Sequence, residues 1–371
     1  MYRSKLFLHG NIYDLAGTDE LFINTVRQNL LLHRQRCPDY AQILAQQGFA
    51  PESLRSIDDL YKIPPLPTLF LKSHSLFSIH YDKLLFKATS SGTGGKPSLA
   101  GLDAMSAWHG FWMVYRSFAH YRLISAHPTN YIVLGYEPSG HNQMGAVKTA
   151  YGTTLAAPAL HREYALKDTG SSYTLNLEGI KRALLRYQKQ GHPVRFMGFP
   201  AYFWFMLEML RESGIRLKLH PKSKVLLAGG WKQFATQKVD KSALYQLSEE
   251  LLCIPEASFQ DFYGAVEHPI VYCDCKHHHF HVPIYSRVII RDVKTLAPLP
   301  KGMPGLVNLI SPLVGSMPLT SIITDDLGIL HEAGECCCGT PSPWFELLGR
   351  AGLSDIKTCA ANAAELLVPK A

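Results

Sequence analysis

The sequence predicts an α/β fold, and three observations carry the prediction. Across residues 130–228, apolar runs of strand character alternate with stretches of helical periodicity. From Phe280 onward the pattern becomes strand-rich. The chain has 371 residues, 47% of them hydrophobic and 18% charged, enough to bury a sizeable core.

The elements follow in order. Residues 21–47 read as helical, with Leu21, Ile23, Val26, Leu30, Leu31 and Leu44 near helical spacing. Ile63-Pro64-Pro65-Leu66-Pro67 must be extended or turning, because proline fixes φ and lacks a donor. Asn130–Tyr136 is a buried strand that ends in a turn at Pro138-Ser139-Gly140. Leu177–Gln190 is a helix, Val194–Gly198 a short strand, and Pro200–Ser213 a helix with proline in its first turn. Lys224–Ala228 is a strand running into Gly229-Gly230-Trp231-Lys232. Val282–Arg291, Leu306–Ile310 and Thr320–Thr324 complete the strand-rich part. No internal repeat, low-complexity segment or linker divides the chain.

Composition excludes several classes of function. No apolar run approaches the ~20 residues that span a bilayer. The start, Met1-Tyr2-Arg3-Ser4-Lys5, has no sustained apolar segment, so no secretory signal is expected and a cytoplasmic protein is. The net charge of +7 is spread along the chain, which argues against a nucleic-acid arm. It is compatible with an acidic partner such as a carrier protein, and equally with an ordinary basic surface. Eight cysteines are present, five of them in two tight clusters. Without a secretory signal they read as metal ligands or reactive thiols rather than disulfides.

The densest chemical signal is Ala88-Thr89-Ser90-Ser91-Gly92-Thr93-Gly94-Gly95-Lys96-Pro97-Ser98. Glycines let backbone N–H groups approach an oxyanion, hydroxyls add donors and the lysine adds charge. It is not a Walker A loop: Ser90 stands where that motif has its first glycine, and Pro97 follows the lysine. A plain polar turn is the alternative. Four further pieces follow in order. Gly229 and Gly230 after a strand allow a flat ring to lie on the backbone. Phe262-Tyr263-Gly264-Ala265-Val266-Glu267 sets an aromatic ring and a carboxylate beside a glycine turn, where Glu267 could hold Mg²⁺ on a phosphate or be an ordinary surface acid. Thr324-Asp325-Asp326-Leu327-Gly328 reads as the end of a strand, with an acid to accept from ribose hydroxyls or simply a hairpin turn. Gly349-Arg350 brings a cation late in the chain.

These pieces, in this order, resemble the acyl-adenylate-forming superfamily, whose phosphate loop reads Ser-Ser-Gly-Thr-Thr-Gly-Lys-Pro and whose later motifs are Tyr-Gly-x-x-Glu, Thr-Gly-Asp-Leu-Gly and Gly-Arg. Within it the chain is most similar to the acyl-protein synthetase family of bacterial bioluminescence, over nearly its full length. Ala228–Lys232, Pro300–Leu306, Ile323–Ile329, His281-Val282-Pro283 and Thr358-Cys359-Ala360 carry that likeness. The resemblance implies a large acyl-adenylate-forming domain over 1–345, helical over about 1–85 and strand-rich over about 280–345. A short tail, 346–371, would follow, with the mobile C-terminal domain of the superfamily and its lysine absent or strongly truncated.

It also implies roles. Ser90, Ser91, Gly92, Thr93, Gly94 and Lys96 would hold the phosphates of ATP, and Glu267 the Mg²⁺. Gly229, Gly230, Tyr263 and Gly264 would pack on adenine, Asp326 would bind the ribose, and Arg350 the ribose or phosphate. Cys359 would take the acyl group as a thioester, a role thiolate chemistry suits. A small buried residue on a terminal helix is the alternative for that cysteine. Gly94 departs from the superfamily's second threonine and removes one donor.

Cys273, Cys275 and Cys336-Cys337-Cys338 are additions to the bioluminescence pattern and look like the phenylacetate–CoA ligase branch. Together with His277, His278, His279 and His281 they fit a tetrahedral structural zinc. The preferred ligands are Cys275, His281, Cys336 and Cys338, with Cys273 and His279 as substitutes. His281 is also a candidate base for Cys359, and the two roles exclude each other.

The expected function is ATP-dependent activation of a carboxylic acid. The acyl group is captured on Cys359 and passed to the thiol of an acyl carrier protein, coenzyme A, a phosphopantetheine arm or a partner acyl-transfer enzyme. Two rivals remain: an ATP-independent transferase moving an acyl group from acyl-CoA through Cys359 to a carrier protein, and a non-catalytic partner that stabilises a biosynthetic complex. The aromatic helix Pro200–Leu207 could line an acid pocket but reads more simply as core.

Overall fold

The computed structural model describes residues 2–90, 96–140 and 142–351. The chain divides into two compact units, Met1–Ser117 with Gly264–Ala371, and Phe118–Tyr263.

The first unit opens with three helices: α1 (Tyr2–Phe7), α2 (Leu15–Arg36) and α3 (Pro38–Gln46). Asp14 caps α2 by accepting from the Gly17 N–H at 3.0 Å. Phe22, Ile23, Val26 and Leu30 are the buried stripe of α2. The single helical stretch expected over 21–47 is two helices. Cys37 is extended, at φ −126°, and Pro38 opens α3 where a missing N–H costs nothing. The proline-rich segment gives β1 (Leu66–Pro67), then α4 (Thr68–Ser73). An antiparallel pair, β2 (Phe86–Thr89) and β3 (Leu99–Leu102), flanks the Ser/Gly loop and leads into α5 (Ala104–His120).

The second unit is a doubly wound sheet. Its elements are β4 (Thr129–Tyr136), α6 (Gly145–Thr153), β5 (Ala159–Asp168), β6 (Tyr173–Leu175), α7 (Leu177–Gln190), β7 (Val194–Gly198), α8 (Pro200–Glu212), β8 (Lys224–Ala228), α9 (Lys241–Leu252) and β9 (Phe259–Ala265). The strand order is β9-β8-β7-β4-β5-β6. Every pair is parallel except β5 with the short edge strand β6. Residues 129–135 of β4 are all buried, as expected of a strand covered on both faces. α7 ends at Gly191, whose φ of 69° is the left-handed cap that glycine adopts without strain. Ile132, Leu134, Phe196, Val225 and Leu227 of the sheet pack with Phe203, Met206 and Leu207 of α8 in one core. The aromatic helix is therefore core at Tyr202, Phe203, Met206 and Leu207. Sequence order reverses between β4 and β7, so the carboxyl ends of those strands form a topological switch point, the usual place for a ligand on such a sheet.

The chain then returns to the first unit with β10 (His268–Cys273), β11 (Phe280–His281), β12 (Arg287–Arg291), β13 (Gly305–Ile310), β14 (Ser321–His331) and β15 (Trp344–Arg350). β10 pairs with β9, and the other five form a sheet in the order β11-β15-β14-β13-β12, with β1 parallel to β14. Two expectations need correction. The strand expected over 282–291 starts only at Arg287, because Pro283 heads a turn closed by the Ser286 N–H at 3.0 Å. The acid pair Asp325-Asp326 does not end a strand: β14 continues to His331, across a register shift against β15 at Leu327/Gly328. Gly328 is required there, since a Cβ would stand 2.5 Å from the Glu346 carbonyl oxygen. No helix among the described residues is long and apolar enough to cross a membrane.

Candidate active site and metal centre

The Ser/Gly loop leaves β2 and re-enters at β3. Ser91, Gly92, Thr93, Gly94 and Gly95 lie outside the described residues, but both ends are fixed. The Ser90 N–H donates to the Ser98 carbonyl at 3.1 Å, and the Ser98 N–H donates back to Ser90 Oγ at 3.0 Å. Ser90 therefore closes the base of the loop, while Lys96 stands exposed beside it.

Glu267 is no surface acid. It sits in the turn between β9 and β10, only 5% exposed, and its carboxylate accepts a hydrogen bond from the buried Ser98 hydroxyl. The tight turn falls at Val266-Glu267, one step later than the glycine suggested; Gly264 lies in β9. A Cβ on Gly264 would come within 3.0 Å of the Ile270 carbonyl on β10, so glycine permits the close approach that places Glu267. Ser98 is the residue the sequence reading missed. Its only signal is position, directly after Lys96-Pro97.

The two neighbouring aspartates separate into different jobs. Asp325 Oδ1 accepts from Thr68 Oγ1 at 2.6 Å and Lys72 approaches at 4.0 Å, so this acid anchors α4 to β14. Asp326 lies directly opposite Arg350 across β14 and β15, with Arg350 Nε 3.7 Å from its Oδ1. Arg350 is 68% exposed, so the pair is weak by itself and the guanidinium is accessible to a ligand. Arg350 lies on β15, which runs across the boundary between core and tail expected at 345/346.

In the second unit, Gly229 and Gly230 leave β8 with φ of 81° and 63°, backbone that side-chain-bearing residues rarely adopt. Ala228 pairs with Phe262, so Gly229 and Tyr263 emerge from adjacent carboxyl ends of the parallel sheet. An exposed glycine backbone beside a half-buried tyrosine is a surface on which a planar ring can stack.

The clearest cluster is in the first unit. Cys275, His281, Cys336 and Cys338 present ligand atoms that all lie within 4.8 Å of one another. Cys275 and Cys336 sulfurs are 3.7 Å apart, close to the ~3.8 Å edge of a tetrahedron with Zn–S bonds of about 2.3 Å. His281 Nε2 is 3.1 Å from Cys338 Sγ, and its Nδ1 faces the Ser342 carbonyl at 3.0 Å. The proton is assigned to Nδ1, which donates to Ser342 and leaves the Nε2 lone pair for a metal. Backbone N–H groups of His277 and Thr340 point at Cys275 and Cys338 sulfurs, each at 3.4 Å, as suits thiolates. Burial pushes the Cys275 thiol up and Cys336 to about 12. Burial also opposes ionisation of Cys338, but hydrogen bonds with Thr340, Cys336 and Cys275 together hold that thiol low. The donor set of three sulfurs and one imidazole fits zinc.

Of the substitute ligands, Cys273 is buried outside this group. His279 stacks on Trp344 at 3.7 Å with Nδ1 3.3 Å from Cys336 Sγ, and His331 stacks on the same indole at 3.9 Å. These flanking rings wall the centre. Both nitrogens of His281 face groups of this cluster, Nδ1 the Ser342 carbonyl and Nε2 the Cys338 sulfur. Cys359 lies outside the described residues.

The family profile described as acyl-protein synthetase, LuxE, matches residues 12–368. The chain is 24% identical to a long-chain-fatty-acid–luciferin-component ligase of Vibrio harveyi, over 96% of this chain and 91% of that one. It is 24% identical to a phenylacetate-coenzyme A ligase of Thermus thermophilus, over 82% of this chain and 64% of the relative. Among solved structures, an open conformation of 2-hydroxyisobutyryl-CoA ligase with 2-HIB-AMP and CoA superposes with a TM-score of 0.65 at 15% identity, over 91% of this chain and 76% of that chain. That likeness establishes the fold, that of acyl-adenylate-forming ligases. The chain belongs to the LuxE acyl-protein synthetase family and is an enzyme of the ligase class.

Proposed function

We propose that the protein joins a carboxylic acid to a thiol in three steps. A carboxylate oxygen attacks the α-phosphorus of ATP, forming the acyl-adenylate as pyrophosphate leaves. The Cys359 thiolate attacks the acyl carbon and AMP leaves. A second thiol then takes the acyl group and the Cys359 thiolate departs. Much of the barrier to such chemistry is lowered by positioning and charge neutralisation.

The observation that carries this reading is the buried Glu267 carboxylate, fixed by Ser98 at the base of the Ser/Gly loop. A buried acid beside an oxyanion loop suits Mg²⁺, which neutralises phosphate charge when bound. Ser90, Ser91, Gly92, Thr93, Gly94 and Lys96 hold the phosphates in this reading. Gly229, Gly230, Tyr263 and Gly264 receive the adenine, and Asp326 and Arg350 the ribose. The relatives' names make a long-chain fatty acid the first acid to test, and an acyl carrier protein, coenzyme A or a partner enzyme the thiol acceptors.

The test is acid-dependent exchange of labelled pyrophosphate into ATP. Exchange with long-chain acids, strongly reduced but measurable in Glu267→Gln, is the expected result. Acyl transfer from acyl-CoA with no exchange for any acid would replace adenylation by the transferase reading.

Cys275, His281, Cys336 and Cys338 hold a structural zinc in the same reading, supported by their 4.8 Å cluster. Elemental analysis of protein purified without chelator is expected to find one zinc per chain, and less than a tenth of that in Cys336→Ser. Full occupancy in Cys336→Ser would remove this site.

A further inference from the structure

Helix α5 turns an apolar face to solvent that neither the nucleotide site nor the metal centre uses. From Ala104 to Tyr115 it carries no Asp, Glu, Lys or Arg. His109 is buried, and burial lowers its pKa to about 4, so it is neutral as well. Ser106, His109 and Met113 form the buried side of the helix. The opposite side carries Met105, Trp108, Phe111 and Tyr115, exposed by 54%, 49%, 59% and 46%, with Trp112 half-buried among them. Residues 108, 111, 112 and 115 stand at helical spacing, so their side chains form one continuous stripe. A single exposed apolar side chain needs no explanation, but a charge-free aromatic stripe does.

The stripe is symmetric about its own midpoint. Trp108 and Tyr115 lie equally far along the helix from the central pair Phe111-Trp112. Each stacks near-parallel to Phe111 at 6.4 Å, with interplanar angles of 23° and 22°. Each meets Trp112 edge-on at 5.5 Å, with angles of 81° and 82°. Reversing the direction of the helix therefore exchanges two end rings that have the same surroundings. An antiparallel two-fold pairing makes this demand, because an isologous interface sets one patch against itself.

Area and charge indicate what covers the stripe. An aromatic side chain buries 150–250 Å² in all, so a half-exposed one leaves about 100 Å² to cover. Leu85 and Phe86, exposed by 62% and 55%, add to this near the entry to α5, where Phe86 pairs with Leu102. One copy therefore offers about 600 Å², and two copies about 1,200 Å², where stable protein interfaces begin. Such interfaces are depleted in charge at their centre and enriched in aromatic residues and methionine. Copies of a chain with net charge +7 repel each other, so they meet at least cost across a neutral face. An acidic carrier protein calls for exposed cations, and a helix lying on an anionic membrane carries lysine or arginine on its polar face. The single Lys or Arg of α5 is Arg116, and it donates to the His9 carbonyl at 2.6 Å.

We propose that this face is the contact of a two-fold homodimer in which the α5 helices of two copies cross antiparallel. Trp108 of each copy packs on Tyr115 of the other, and the two Phe111-Trp112 pairs meet at the axis.

Sedimentation equilibrium of the full chain, over a wide range of concentration and at low and high salt, tests this. Wild type is expected at twice the chain mass of 41.5 kDa. Salt should leave the dimer as tight or tighter, because it screens the repulsion between copies. Phe111→Lys sets a charge at the centre of the face and should weaken the dimer at least hundredfold. Its far-ultraviolet circular dichroism should not change, since the ring is mostly exposed within one chain. Leu155→Lys, at an apolar residue of the second unit exposed by 67%, should stay dimeric. In a mixture, a short bismaleimide should join Trp108→Cys chains to Tyr115→Cys chains in preference to like with like, the linked peptides being read by mass spectrometry. A monomeric wild type, a dimer equally tight in Phe111→Lys, or preferential like-with-like linkage overturns the proposal. If wild type is monomeric, binding to phosphatidylglycerol vesicles that is lost in Phe111→Lys assigns the face to a lipid surface instead. An intrachain link between Trp108→Cys and Cys359 assigns it to residues 352–371 of the same chain.

Discussion

Ser98→Ala is the sharpest perturbation of the proposed nucleotide site. Ser98 is fully buried, and its hydroxyl donates to a Glu267 carboxylate that is itself 5% exposed. Alanine removes the donor and almost no volume, so packing survives while the carboxylate loses a charge-assisted partner. Such bonds contribute roughly 1.5–3 kcal/mol. If that energy holds Glu267 in the position that receives Mg²⁺, its loss appears as about one to two decades in the Mg²⁺ concentration needed for pyrophosphate exchange. The assay is exchange rate against free Mg²⁺ for wild type, Ser98→Ala, Glu267→Gln and the double variant. Ser98 is a positioning residue in this account. The double variant should therefore be no worse than Glu267→Gln alone, a strongly non-additive pair. An unchanged Mg²⁺ requirement in Ser98→Ala, or additive losses, refutes the reasoning.

Three further outcomes follow from the geometry. Asp326→Asn should raise KM for ATP at least tenfold with thermal stability within a degree or so. Asp325→Asn should chiefly lower stability, because it breaks the Thr68 contact; steady-state kinetics and thermal melts separate the two. Gly328→Ala should destabilise by about 1–3 kcal/mol, read by urea unfolding of the first unit, because its Cβ would meet the Glu346 carbonyl at 2.5 Å. Acid should weaken the fold below the ordinary histidine pKa. Burial lowers His33 and His268 to about 3 and His109 to about 4, so each is neutral when folded and gains a proton on unfolding. Their contribution is fully present above pH 6.5 and is lost as pH falls from there toward 4 and 3. Urea midpoints from pH 7.5 to 4.5 should therefore fall continuously, and a flat profile would contradict this.

What the sequence disclosed divides along physical lines. Strands β4, β7 and β8 and helices α7 and α8 were legible nearly to their ends, because each is a local pattern with proline or glycine at its boundary. The metal cluster was legible because cysteine and histidine are rarely grouped without a reason; the preferred four meet, although the two segments are far apart in sequence. Tertiary choices were hidden. Nothing local distinguishes Asp325 from Asp326; only the neighbouring Thr68 and the cross-strand Arg350 do. Ser98 is one serine in a serine-rich stretch until Glu267 folds against it.

The central claim is an acyl relay through Cys359, and intact-protein mass measurement tests it most directly. Wild type and Cys359→Ser would each be incubated with long-chain fatty acid, ATP and Mg²⁺, and in parallel with the matching acyl-CoA. The account predicts a hydroxylamine-sensitive acyl adduct on wild type from acid plus ATP, absent from Cys359→Ser. An adduct of equal yield on Cys359→Ser would contradict it.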